Sequence, residues 1–558
     1  KASEKRVVTM LFADISGFTE LSERLEPDEV SDIMNTVFDA MTDVVVKNGG
    51  TIDKYIGDCL MALFGAPRSY GDDAERAVRS ALELQCEVGK LSKRFEKEIG
   101  SKLEIRVGLN TGMVVAGFVG GQGHRDYTVM GDAVNLASRL ESACERGRVL
   151  VASNTQRSIL NSYVTEDAGT FDVKGKSKPV QAFYVVRERE MKIADMADFF
   201  EGQAVPFLGR DGELDLLLDS LETVASVSTA HLVKVAGTLG SGKSRMVTEF
   251  SRVASERHGA RIVYGRCTRS VNLFMAPIRQ GLESYLETQF ESVGNGIHTL
   301  LGSSSLAVAG PETISGAGLE LLDNFFAGND VFHESGNATN LTRKALFRAL
   351  THLFKAIAED TVCVLVVADA HLADESMQEF VRYLLGDQGD KARTLVCWEM
   401  QTNTENQESA RLLFEGSKVG LLEMIPLEDV FITRMVQEIL SPAGEVPAWV
   451  AEWIVGQAEG RPLYVLEHLR SLQALGLLAI DAELGTWAIV SEKPEDMVLP
   501  PTIHGALQAE LDAMSPVQRI LLQRAAVVGR VFWDRLMVQV CADLIAEYKI
   551  QRALQSLR

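Results

Sequence analysis

Cysteine, long apolar runs and excess positive charge are all scarce in this sequence, and each scarcity excludes a class of protein. The 558 residues contain seven cysteines, Cys59, Cys86, Cys144, Cys267, Cys363, Cys397 and Cys541, an odd number with no CxxC pair. That pattern argues against a disulfide framework or a zinc site, and a reducing, cytoplasmic compartment is the expectation. The most apolar run, Val362 to Ala368, is far too short to cross a bilayer, and no signal peptide is visible, so no membrane partner is expected. Acidic residues outnumber basic ones by 77 to 56, a net charge of −21, which argues against a general affinity for nucleic acid or anionic membranes.

What is present is a globular composition. Apolar residues make up 46% and charged residues 24%. At roughly 150 residues per domain, three or four domains are expected. The chain opens on Lys1 rather than Met, and Ile550 to Arg558 reads as an unfinished helix, so a longer parent protein is expected.

Three regions separate by pattern. Residues 1–190 alternate strand-like and helical stretches. Val7 to Ala13 is a β-branched apolar run, and Pro27 to Asn48 has helical spacing ended by Gly49-Gly50. Thr51 to Ile56 and Cys59 to Phe64 are separated only by Gly57-Asp58, which predicts a hairpin. Asp72 to Glu98 reads as helix. Ile105 to Thr111 and Met113 to Val119 read as a strand pair broken at Gly112, and Ala133 to Glu145 as a further helix. This β-α-β-β-α-β order predicts a ferredoxin-like α+β sheet. In that topology the third strand lies between the first and second, which brings Asp14 beside Asp58. Residues 191–204 begin with an amphipathic stretch that predicts a linker helix. Residues 205–425 have the layout of an α/β P-loop NTPase, with Gly302 to Gly318 looping out. Residues 426–558 read as mostly helical and winged-helix-like, with a small β-wing at Gly485 to Pro501.

Phe12-Ala13-Asp14-Ile15-Ser16-Gly17-Phe18-Thr19 is a strand ending in a carboxylate, followed by a small-residue loop that opens a helix. Backbone N–H groups at such a start can hold phosphate, and a carboxylate beside phosphate requires a cation between them. Asp58 supplies a second carboxylate, and two carboxylates with a triphosphate are what two-metal phosphoryl chemistry requires. Taken alone, Asp58 is a turn residue and Asp14 a helix cap. Asn135 and Arg139 stand four apart on one helix face, with Leu136 and Leu140 on a neighbouring one.

FADISGFT, GGTIDKYIGDCLMALFG and YTVMGDAVNLASRLES together closely resemble the class III nucleotidyl cyclase domain, over residues 5–187. The resemblance implies that Asp14 and Asp58, with the Ile15 carbonyl, bind two Mg²⁺ (or Mn²⁺) ions. It implies that Ser16, Gly17, Phe18, Thr19 and Lys174 serve the phosphates, that Asn135 orients the ribose and that Arg139 stabilises the pentavalent phosphorus. Lys54 matches the residue that selects adenine, where guanylyl cyclases place Glu; a cationic donor suits adenine N1, an acceptor. Thr128 stands where many members carry Asp, matching a subgroup that includes bicarbonate-responsive enzymes. The implied reaction is conversion of ATP to cyclic AMP and pyrophosphate by in-line attack of the ribose 3′-hydroxyl, at sites shared between the subunits of a homodimer. The alternatives are a signalling scaffold with a silent cyclase domain and, disfavoured by Lys54, a guanylyl cyclase.

A second motif, Gly237-Thr-Leu-Gly240-Ser-Gly242-Lys243-Ser244, fits GxxxxGK[ST] and follows the apolar strand Leu232 to Ala236. Lys243 is placed to reach the β and γ phosphates of ATP or ADP and Ser244 to meet Mg²⁺. With FLGR at 207–210 and Gly460-Arg461-Pro462 downstream, the region resembles signal-transduction ATPases of the AAA/STAND kind, and the whole arrangement resembles soluble adenylyl cyclases. Two features depart from that pattern. The acidic pair after the Walker B strand reads Ala368-Asp369, leaving only Asp369, and the strand where a sensor arginine often stands reads Val396-Cys-Trp-Glu-Met.

Overall fold

The structure, a computed structural model, describes residues 3–16, 26–99, 102–119, 126–160, 162–171, 179–189, 199–200, 203–267, 274–290, 292–303, 316–327, 337–386, 392–402, 413–441, 446–481, 486–489 and most of 507–556. The chain divides into two compact units: Lys1–Met191 with Val498–Arg558, and Lys192–Met497.

The first unit is built on β1 (Glu4–Ser16), α1 (Pro27–Lys47), β2 (Thr51–Ile56), β3 (Cys59–Phe64), α2 (Asp73–Ile99), β4 (Glu104–Val119), β5 (Asp126–Met130), α3 (Asp132–Ala143), β6 (Val149–Ala152), α4 (Ser153–Ile159), β7 (Tyr163–Phe171) and β8 (Val180–Glu188). The sheet order is β2-β3-β1-β4-β6-β8-β7, with β5 paired to β4. The third strand therefore lies between the first and second, antiparallel to both. Alternation along β1 sends Leu11, Ala13 and Ile15 into a core with α1 and α2, including Val37, Met41, Ala77 and Leu84. Val8, Met10 and Phe12 face the other way, packing with Val129 of β5 and Ala137 of α3.

The break expected at Gly112 is absent. β4 runs unbroken for 16 residues, and its hairpin partner is β5. Gly112 admits a helix rather than turning the chain: a Cβ there would lie 2.8 Å from the Cβ of Ala133 on α3. Gly108 is tighter still, since its Cβ would fall 2.0 Å from the Glu141 backbone nitrogen. The two glycines let α3 lie directly on the strand.

In the second unit, β9 (Phe199–Phe200) and β10 (Gln203–Ala204) pair antiparallel. The helix expected over 191–204 is therefore corrected at its C-terminal end, and 191–198 lies outside the described residues. Next come α5 (Asp211–Val227), β11 (His231–Gly237), α6 (Lys243–His258), β12 (Arg261–Arg266), α7 (Ala276–Gln289), α8 (Val293–Ser303), α9 (Gly316–Phe326), α10 (Asn337–Ile357), β13 (Cys363–Ala368), α11 (Glu375–Leu385), β14 (Thr394–Gln401) and β15 (Val419–Glu423). The five long strands form a parallel sheet in the order β12-β13-β14-β11-β15. Helices cover both faces, which explains why Cys363–Ala368 is apolar at nearly every position and wholly buried. Most of the loop expected at Gly302 to Gly318 falls outside the described residues.

Beyond Pro426, α12 (Asp429–Ile439), α13 (Ala448–Ala458), α14 (Pro462–Ala474) and the hairpin β16 (Leu478–Asp481)–β17 (Thr486–Ile489) belong to the second unit. The hairpin begins earlier than the wing expected at Gly485 to Pro501, and 490–506 lies outside the described residues. Helices α15 (Pro516–Val528), α16 (Asp534–Cys541) and α17 (Glu547–Ser556) belong to the first unit and pack around Leu521, Met537 and Ile550. Just ahead of them, the Asp512 carboxylate accepts from the buried Arg6 guanidinium of β1 and from the Ser69 backbone N–H at 2.9 Å. No helix among the described residues is long and apolar enough to cross a membrane.

The closeness of α3 to β4 yields a stability prediction. Gly108→Ala forces α3 away from the sheet and is expected to cost about 1–3 kcal/mol, the usual penalty for overpacking. Urea denaturation of the purified protein measures it, and a variant as stable as the parent contradicts this packing.

Candidate active site

The β1–β3 register opposes Asp14 to Cys59. The Ile15 backbone N–H donates to the Asp58 carbonyl at 3.2 Å, and Gly57 takes a φ of +65° in the turn. Asp14 and Asp58, far apart in sequence, thus stand side by side at the mouth of one strand pair. Burial raises the Asp14 carboxyl above the ordinary range; hydrogen bonding to Arg106 opposes this and the Asp58 charge reinforces it. The neighbouring Cys59 thiol is pushed up to about 12, first by burial, then by Glu141, Asp14 and Asp58. Asp14 and Asp58 are two neighbouring acids of the kind a divalent cation takes, while no group of three metal-ligating side chains occurs among the described residues. Ser16 is buried at the end of β1. Gly17, Phe18, Thr19 and Lys174 lie outside the described residues.

Two members of this cluster escaped the sequence reading. Arg106 is the direct cross-strand partner of Asp14, and its guanidinium lies 2.8 Å from both Asp14 Oδ2 and Glu141 Oε1. Glu141, on α3, is itself raised by burial against the pull of Arg106. The available clue was a lone arginine in the otherwise apolar stretch IRVGL, directly across the sheet from Asp14.

Lys54 reaches the same face by a β-bulge. Ile52 pairs with Ala62 and Lys54 with Met61, so β2 carries one residue more than β3 at Asp53. Ala62 belongs to the core under α1 and α2, and Met61 to the opposite face. The extra residue therefore turns Lys54 to the face that holds Phe12 and Met61. There the Lys54 ammonium donates to Thr128 Oγ1 at 3.4 Å and sits 3.1 Å from the Asp53 carboxylate, while the Thr128 hydroxyl donates to Asp53 Oδ2 at 3.0 Å. Asp53 is the third residue missed; its side chain is fully buried and its Oδ1 has no partner.

On α3, Leu140 is buried and Leu136 packs partly beneath the helix, while Asn135 is exposed and Arg139 half-exposed. Glu141 turns toward Asp14. Arg139, two positions earlier, points about 200° around the helix from it, at ~100° per residue, and so faces away from its own chain's carboxylates.

In the second unit, Gly237 ends β11, and Gly240 and Gly242 adopt φ of +79° and +92° in the loop before α6. This is a backbone only glycine adopts readily. Buried Lys243 donates to the Thr238 carbonyl at 2.9 Å, inside the cradle the loop makes, and burial lowers its pKa against the charges of Glu399 and Asp369. Directly after Gly460-Arg461-Pro462, the Leu463 N–H donates to the Gly240 carbonyl at 3.4 Å, and a Cβ on Gly240 would lie 3.0 Å from the Leu463 Cβ. Asp369, whose charge is felt by Lys243 of the loop, makes its side-chain contact elsewhere. It pairs with Arg266 at 2.7 Å and has a φ of +51°. Ser244 Oγ instead donates to Glu399 Oε1 at 2.6 Å.

Two stretches of the chain match known domain families. Residues 1–187 match the adenylate and guanylate cyclase catalytic domain, and residues 206–397 the AAA ATPase domain. The chain joins a class III cyclase domain to an AAA ATPase domain. The cyclase region is 36% identical over 195 residues to the terminal-differentiation-specific adenylate cyclase of Dictyostelium discoideum, covering 33% of this chain and 9% of that protein. Among solved structures it is similar to the adenylyl cyclase CyaB of P. aeruginosa (40% identity, 34% of this chain and 98% of that one, TM-score 0.33) and to the guanylyl cyclase Cya2 (36% identity, 34% and 96%, TM-score 0.33). Against curated adenylate cyclases, the chain spans 9% to 37% of their length.

One buried group of the second unit carries an acid response. His468, on α14, packs against Trp453 with ring centroids 4.8 Å apart, and neither of its ring nitrogens has a partner. Burial depresses its pKa to about 4 from 6.5. The neutral folded form is therefore fully stable above pH 6.5, and stability is lost as pH falls from there through 4. His468→Phe is expected to flatten that stretch of the stability–pH profile, measured as thermal midpoint against pH. An unchanged slope contradicts the assignment.

Proposed function

We propose that the chain is an adenylyl cyclase, converting ATP to 3′,5′-cyclic AMP and pyrophosphate, coupled to a nucleotide-binding STAND-like module. The observation that carries this reading is the Asp14–Asp58 pair in one domain with the Lys54–Asp53–Thr128 cluster. Cations bound at the carboxylate pair supply charge neutralisation of the triphosphate and acidify the ribose 3′-hydroxyl. Asp14, Asp58 and the Ile15 carbonyl would hold them. Arg106, beside Asp14, carries a planar fork that would suit phosphate oxygens of a bound triphosphate. Asn135 orients the ribose and Arg139 meets the charge that develops on the phosphoryl group.

The base reader favours adenine for a specific reason. Thr128 has one hydroxyl proton, and Asp53 accepts it. What remains on Thr128 Oγ1 is acceptor capacity, suited to the adenine N6 amine and not to guanine O6. Lys54, held by Asp53, donates to adenine N1.

Arg139 turns away from its own chain's carboxylates, so a site containing both kinds of group draws on two subunits. Exposed Tyr55, Ile56, Phe118 and Met130 give the cyclase unit an apolar surface suited to that homodimer. The Thr128 subgroup makes bicarbonate the effector to assay. In the ATPase domain, the missing acid at position 368 and the Arg266–Asp369 pair favour slow turnover, so nucleotide there acts as a conformational switch more than a fuel.

Purified protein with ATP or GTP and Mg²⁺ or Mn²⁺ is expected to yield cyclic AMP in preference to cyclic GMP. Absence of product with either metal, alongside intact nucleotide binding at Lys243, would favour the scaffold reading. Asp58→Ala and Asn135→Ala are each expected to be inactive, and mixing them to recover part of the activity through one intact shared site. No recovery on mixing counts against the two-subunit site. Lys54→Glu is expected to shift the ATP-to-GTP ratio of kcat/KM toward GTP; a ratio unmoved by that change removes Lys54 from base reading.

A further inference from the structure

The P-loop site lacks the acid that ordinarily ends its third strand, yet Ser244, whose hydroxyl must meet the cation, is not left without a carboxylate. β14 lies between β11 and β13, with Val235 paired to Glu399 and Val367 to Trp398. A side chain near the end of β14 therefore stands between the glycine loop and the strand where the acid is missing. Glu399 is 3% exposed. Its Oε1 accepts the Ser244 hydroxyl at 2.6 Å, and its Oε2 is buried with no partner. Asp369, the remaining acid after β13, is engaged by Arg266 at 2.7 Å. Ala368 offers a methyl group in place of a carboxylate.

We infer that Glu399 takes over, from the neighbouring strand, the cation-positioning role left vacant at Ala368. By accepting the Ser244 proton, Glu399 turns the serine lone pairs outward to the cation of a bound Mg²⁺–nucleotide, and its second oxygen is the acceptor for a water of that cation. Glutamate is one methylene longer than aspartate, which suits a residue reaching from the adjacent strand. Asp369 is then a partner of Arg266 rather than a positioning residue. The inference rests on the P-loop reading of Gly237–Ser244.

The test separates the two. All proteins carry Asp14→Ala and Asp58→Ala, so the cyclase carboxylates bind no metal. Mn²⁺ binding to the ADP-loaded protein is followed by electron paramagnetic resonance, and ADP affinity in EDTA by calorimetry. Glu399→Gln is expected to weaken Mn²⁺ binding by about 10–100-fold, the usual cost of removing a carboxylate that orients a metal ligand, with ADP affinity in EDTA unchanged. Asp369→Asn is expected to leave Mn²⁺ affinity at the parent value. Undiminished Mn²⁺ binding in Glu399→Gln, or a loss confined to Asp369→Asn, overturns the inference. So does a loss of ADP affinity in EDTA in Glu399→Gln, which would make Glu399 a support for the loop alone. If Lys243→Ala keeps both ADP and Mn²⁺ binding, the P-loop reading itself fails.

Discussion

Antiparallel pairing of β1 with β3 decides where the negative charge of the cyclase domain is gathered. The pairing closes on the Ile15–Asp58 backbone bond, with Gly57 providing the turn, so Asp14 and Asp58 are fixed by backbone geometry and not by their own side-chain contacts. A slip of one residue would move Asp14 into the core beneath α1 and α2. The register is held against such a slip by two different cores: Leu11, Ala13 and Ile15 on one side, Met10 and Phe12 on the other. The charged site is thus built on the most firmly specified strand in the unit. Its cost appears in the raised pKa values of Asp14 and Glu141, and Arg106 offsets part of it.

The same face depends on two local irregularities. The bulge at Asp53 turns Lys54 from the helical core to the side of Thr128, and the glycines at 108 and 112 let α3 settle onto β4. One reverses side-chain direction without disturbing the register beyond it. The other removes side chains so that a helix can carry Asn135 and Arg139 at a fixed height above the sheet. Both features exist to place polar groups on a surface whose other residues are apolar.

These irregularities also mark where the sequence could be read and where it could not. The Gly57-Asp58 turn, the flanking strands and the P-loop depend on local chemistry, so they were visible from a few adjacent residues. The proximity of Asp14 and Asp58 followed once the topology was known. Arg106, Glu141, Asp53 and Glu399 were not visible, because each matters through a partner on another strand or helix. Gly112 was misread for a related reason: a glycine between two apolar runs looks the same whether the chain turns there or a helix crosses above it. The end of the linker, Phe199–Phe200, was read as helix from its amphipathic spacing, but two short strands pair there.

In the ATPase domain, the order β12-β13-β14-β11-β15 inserts β14 between the loop strand and β13. That insertion sets β14 beside the strand that leads into the loop, so Glu399 on β14 is sequestered from water yet within reach of Ser244. The opposite wall of the loop is α14, whose first turn meets Gly240 through Leu463 and is preceded by Gly460. A Cβ at Gly460 would lie 2.6 Å from the Leu427 carbonyl. With one side tied to Glu399 and the other to α14, the loop has little room to move alone. Lys243, held on the Thr238 carbonyl, lies within the loop that these two neighbours flank.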